Sequence, residues 1–183
     1  MTTKRARAED GIGLVELVLA LAILNVVLLA LFATFNAGSL ALRRASRIST
    51  AETLADKQLE LYRAHLYSGI LLDNTLVNSS ATTSDATHTG DSAWVSAASQ
   101  YTTGTCSSTL PECQPIQTGV TGPDGRTYRI DTYVRALSGA DAPASGRGVK
   151  RVTVVVRDSS DGKVLARLTS SFDLATGCKT ATC

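Results

Sequence analysis

In EDGIGLVELVLALAIL (residues 9–24), Glu16 is the single charge between Gly11 and Leu42. An ionisable group inside a bilayer costs about 2.5–3.5 kcal/mol on insertion scales, so a carboxylate in a membrane-fit run reads as functional. The other residues with chemical potential lie downstream. Cys106, Cys113, Cys178 and Cys183 form C-x6-C and C-x4-C spacings. Neither spacing is a zinc knuckle, and His65 and His88 lie far off in sequence. Four cysteines in short polar segments point to an oxidising compartment. Local pairing, Cys106–Cys113 and Cys178–Cys183, is the first choice among three connectivities; a cross-link between the two segments is the alternative. His65 and His88 have no obvious partner and read as structural or solvated. Asp158 and Asp161 fit a calcium loop in principle, but Asp-Gly is ordinary turn chemistry and the turn reading is favoured.

No nucleotide-binding loop, nucleophile elbow or H-E-x-x-H motif is present. The residues therefore argue for no catalytic set, no metal and no cofactor, and against an enzyme. Arg126, Arg129, Arg135, Arg147, Lys150 and Arg151 make a modest basic set. With a net charge of +2 and few interleaved aromatics, DNA is a conceivable but unsupported partner.

The elements that would carry these residues begin with the apolar run 12–35. It is long enough to span a bilayer. Lys4, Arg5 and Arg7 flank it on the N-terminal side, which keeps that end cytoplasmic by the positive-inside rule. A cleaved signal peptide should have a shorter core; here the cut would fall near Ala37 in NAGSLA and release a soluble domain. A plain single-pass anchor accounts for the length and the basic flank but leaves Glu16 unexplained. A core helix of a soluble protein is disfavoured by the length.

The tract G-I-G-L-V-E-L-V-L-A-L-A-I-L resembles the processing signal of type IV prepilins and pseudopilins. It is most similar to minor pilins of the V type and pseudopilins of the I type. The resemblance covers about the first third of the chain. It implies cleavage by a prepilin peptidase between Gly11 and Ile12, N-methylation of Ile12, and Glu16 as the fifth mature residue. Glu16 of one subunit would then meet the new α-amino group of a neighbour, a charge that cannot be buried alone. The implied partners are other pilin or pseudopilin subunits, the prepilin peptidase, an inner-membrane assembly platform and the lipid bilayer. The implied location is the inner membrane, then a periplasmic or extracellular filament. The chain departs from the family in having Ile12 and Gly13 where Phe and Thr or Ser are usual. It also has no proline before Pro111, which argues against a major pilin.

Beyond the apolar run, Leu40, Ile48, Ala51, Leu54, Ala55, Leu61, Tyr62 and Leu66 recur at three- and four-residue steps. An amphipathic continuation over 36–67 follows, with its charges on the other faces. Asn25 is the polar residue inside the helix and reads as tolerated. Residues 68–125 form a Ser/Thr/Gly-rich loop region with Cys106 and Cys113; its part 68–105 is read as an exposed linker or a partner-facing loop, with Trp94 and Val95 pinning it or starting a short strand. Over 126–183, alternation in 126–137, 149–158 and 163–174 predicts antiparallel strands, with GPDG before the first and the tight DSSDG hairpin before the last. The expected fold is α+β: a long N-terminal transmembrane and amphipathic helix laid on a small antiparallel β-meander, with leader 1–11. That layout matches the pilin layout in outline.

Overall fold

The computed structural model describes residues 13–137 and 148–174. Gly11, Ile12, Arg147, Cys178 and Cys183 lie outside them. Helix α1 (Leu14–Arg63) comes first, then the short helices α2 (Asn74–Val77), α3 (Ser80–Thr83) and α4 (Ala86–Thr89). Strands β1 (Ile116–Thr121), β2 (Thr127–Leu137), β3 (Val149–Asp158) and β4 (Val164–Asp173) follow. Single 3-10 turns lie at Tyr67–Gly69, Ala97–Ser99 and Pro111–Cys113. Two compact units divide the chain, Met1–Arg44 and Ala45–Cys183.

The first unit holds the apolar part of α1. Leu, Val, Ala and Ile follow one another without proline, so the backbone hydrogen bonds run uninterrupted. Every large apolar side chain from Leu14 to Phe35 is exposed, from 43% at Leu28 to 80% at Phe35. The helix is long and apolar enough to cross a membrane. Asn25 and Thr34 are satisfied on the helix itself. The Asn25 amide donates to Leu21 O at 2.8 Å, and the Thr34 hydroxyl to Leu31 O at 2.8 Å. Asn25 is thus tolerated without an outside partner, as an apolar surround requires.

In the second unit the same helix buries Thr50, Ala51, Leu54, Ala55, Gln58, Leu59 and Tyr62. The three- and four-residue spacing of these positions makes one face. It packs on Tyr128, Ile130, Val134, Val152, Val154 and Val156 of the sheet. Ala51 and Ala55 are wholly buried and let the helix lie close. Each fully buried Leu or Val adds about 1.5–3 kcal/mol. The stripe differs from the sequence expectation at its margins. Leu40 and Ile48 are exposed and Leu61 is only partly buried, while Gln58 and Leu59 turn inward. The helix ends at Arg63, short of residue 67.

The sheet is an antiparallel meander in the order β1-β2-β3-β4. Gly162 closes the β3–β4 turn at φ +70°, a conformation that glycine adopts without a Cβ penalty. One strand more than the three read by alternation is present: β1 pairs with the first half of β2, with a bulge between Gln117 and Val120. The second half of β2 is completed by a loop. Tyr101 N donates to Val134 O at 2.6 Å, and Val134 N to the Gln100 side-chain oxygen at 3.1 Å.

The largest correction concerns residues 68–105. An exposed linker or partner-facing loop was expected there, yet Ile70, Leu71, Leu72, Val77, Thr82, His88, Asp91 and Gln100 are buried. Three one-turn helices are each started by a side-chain cap from Asp73, Ser79 or Asp85. Ser and Asp here serve as helix caps, which is why the composition resembled a linker. Trp94 is partly buried against the core, whereas Val95 is exposed and no strand begins there.

Candidate functional site

Glu16 lies in the first turn of α1, where a carboxylate is favoured by the helix dipole. Its backbone N–H reaches Gly13 O at 2.9 Å. Leu14, Val15, Leu17, Val18 and Leu19 surround it and are all more than half exposed. Among the described residues no cation pairs with it. The arrangement presents one acceptor on an otherwise apolar cylinder, and its chemical capacity is to receive a cation or a hydrogen-bond donor.

A second polar constellation lies within the second unit, on the sheet face opposite α1. Asp131 is fully buried and accepts from Arg129 Nε and Arg157 Nε, both at 2.8 Å. Asp91 accepts from Arg157 Nη2 at 2.5 Å and from Arg167 Nη2 at 2.6 Å. Asp85 accepts from Arg129 Nη1 at 2.8 Å while capping α4 through the N–H groups of Thr87 and His88. Three guanidinium groups thus meet three carboxylates. Burial pushes the Asp91 carboxyl up, but hydrogen bonds and charge from Arg167, with the Arg157 charge and the Ala93 N–H, outweigh it and hold it below the ordinary range. Asp85 is likewise held low, since the Arg129 hydrogen bond and the α4 amides overcome its burial.

His88 sits beside this network and is fully buried. Its ring stacks on Tyr133 at 4.5 Å and meets Trp94 edge-on at 5.1 Å. The Tyr133 hydroxyl donates to His88 O at 2.9 Å, and His88 Nδ1 lies 3.4 Å from Asp131. Burial and the neighbouring Asp131 charge push the Tyr133 hydroxyl well up, so it stays a donor. His88, read from sequence as structural or solvated, is buried among ring and carboxylate neighbours that its polar surroundings in sequence hid, while its Nε2 has no hydrogen-bond partner among the described residues. The signal that could have found them is the charge alternation Arg129–Asp131 in a strand, matched by Asp85 and Asp91 around a lone histidine.

The basic set divides. Lys150 is buried, donates to Tyr67 O at 2.7 Å and Ile70 O at 2.8 Å, and lies 3.7 Å from the Tyr101 ring centre. Burial lowers its pKa to about 8. Arg129 is held by two carboxylates, and Arg126 lies 3.9 Å from Asp124. Lys150 and Arg129 are therefore interior anchors and not part of a nucleic-acid face. Arg135 and Arg151 remain at the surface.

Cys106 and Cys113 are joined by a disulfide with Cα atoms 5.6 Å apart, the local pairing expected for them. It holds a loop against the end of α1. The Gln58 amide donates to Pro111 O at 3.0 Å, the Tyr62 hydroxyl donates to Glu112 O, and His65 Nε2 lies 3.1 Å from Glu112 Oε1. Asp158 accepts from Ser160, and Asp161 from the Lys163 backbone, so both serve the β3–β4 turn. Among the described residues no cluster of three metal-ligating side chains occurs. No protein-family model, curated protein or solved structure matches the chain.

Proposed function

We propose that the chain is a minor pilin or pseudopilin, a subunit processed by a prepilin peptidase and assembled into a type IV pilus-like envelope filament. The observation that carries this reading is Glu16 as the single charge on the exposed apolar stretch of α1. An anchor needs the apolar surface but has no use for the carboxylate. A helix that packs against copies or relatives of itself uses both. Removal of residues 1–11 creates an ammonium on Ile12, and a neighbour's Glu16 neutralises it as the helices slide together. A buried carboxylate or ammonium is costly alone, so the pair fixes the axial step between subunits. In this reading the protein is a substrate of processing and assembly rather than an enzyme. It is stored in the inner membrane with its N-terminus cytoplasmic, and its sheet unit carries the partner contacts.

Glu16→Ala separates this reading from a membrane-anchored envelope protein that never polymerises. The variant is expected to be cleaved normally and to accumulate in the membrane, yet to be missing from sheared filament fractions. Normal incorporation of Glu16→Ala would remove the register role. Filament-free wild-type protein with an intact leader would favour the anchored envelope protein that never polymerises.

A further inference from the structure

The outer face of the sheet carries a second, separate feature. Arg135 of β2 and Arg151 of β3 are direct cross-strand partners in the antiparallel register. Like charges so opposed weaken a strand pair. The carboxylates of this face do not offset them: Asp85, Asp91 and Asp131 are taken by Arg129, Arg157 and Arg167. Among the described residues neither Arg135 nor Arg151 makes an ion pair. Both line a cavity of about 250 Å³, together with Arg167, Thr153, Thr169 and Ser92. The Thr153 and Thr169 hydroxyls face each other at 3.2 Å across β3 and β4. Asp173, opposite Val149 at the end of β4, does not line the cavity.

The cavity thus has two uncompensated guanidinium groups, a third held at its rim by Asp91, and hydroxyl donors on a rigid sheet floor. One carboxylate is satisfied by one guanidinium fork. Two forks side by side suit an anion with more oxygens and two charges. The volume suits a small ion or a short ester and is below that of a drug-sized ligand site. We propose that this cavity binds a terminal phosphate group, either as inorganic phosphate or as a phosphate monoester. The like-charge pair is then a binding device held by the sheet at some expense of strand stability.

The test uses the full chain in detergent micelles at constant ionic strength set with chloride. Inorganic phosphate, glycerol 3-phosphate and dimethyl phosphate are titrated in turn. The readouts are the arginine Nε–Hε resonances and the thermal unfolding midpoint. Inorganic phosphate is expected to shift the Arg135 and Arg151 resonances saturably and to raise the midpoint, as a ligand specific to the folded state must. Arg151→Thr is expected to melt no lower than wild type without phosphate, and to bind it at least about tenfold more weakly. Arg135→Lys keeps the charge, loses the fork and should also weaken binding. Equal response to glycerol 3-phosphate identifies an ester-borne source; response to inorganic phosphate alone identifies the free ion. A response no greater than chloride gives, equal affinity for the diester, or unchanged binding in both variants would overturn the proposal.

Discussion

Asp131 has no exposure, yet it receives two guanidinium groups at hydrogen-bond distance. A buried carboxylate so placed is stabilising only as a complete set. Removing it leaves Arg129 and Arg157 unpaired on one side, and breaking a buried pair in this way costs about 3–5 kcal/mol. Asp131→Ala is therefore expected to lose that much stability in urea unfolding, whereas Asp161→Ala, on the exposed β3–β4 turn, should stay within about 0.5 kcal/mol of wild type. At this scale the sequence was uneven to read. Glu16 stood out in the sequence because it is the single charge in an apolar run. His88 and Lys150 did not, because Tyr133 comes to His88, and Tyr67 and Tyr101 to Lys150, from far away along the chain.

The short helix α4 and the turn after it depend on Asp85 and Asp91, whose carboxyls are held below the ordinary range. The unfolded chain takes up these protons at about pH 4, before the folded chain does. The contribution is thus fully present above about pH 4 and is lost as pH falls through the lower folded values. Amide hydrogen exchange should show residues 85–94 losing protection on acidification before the β2–β3 ladder does. Uniform loss across both would contradict a locally anchored clamp. The disulfide acts on a different loop. Its sequence separation of 7 residues gives a loop-closure contribution of about 2.5 kcal/mol in the chain-entropy account. Cys106→Ser with Cys113→Ser should cost about that in chemical denaturation and leave the strands intact. The strands and the helix were readable because period-2 and period-3.6 patterns report one buried face. The region 68–105 was misread because one-turn helices are too short to carry a period. The alternation in β2 also implied one wet face, and the clamp makes Asp131 and Tyr133 as buried as Ile130 and Val134.

At the scale of the whole molecule, the two units pose different physical problems. The second has its own core, built from one face of the helix end and one face of the sheet. The first has none, and its large apolar side chains are all left to whatever surrounds them. Lipid can surround them, and so can the same helix in neighbouring subunits. The assembly account requires both in succession, with Glu16 needed only for the second. That account turns on whether the chain is cut before Ile12. The measurement that tests it most directly is intact-mass and N-terminal peptide mass spectrometry on protein taken from its native envelope. The account predicts a chain that begins at Ile12 and carries one methyl group on its amine. A chain that begins at Met1 or Thr2, or near Ser39 after removal of an ordinary signal peptide, would contradict it.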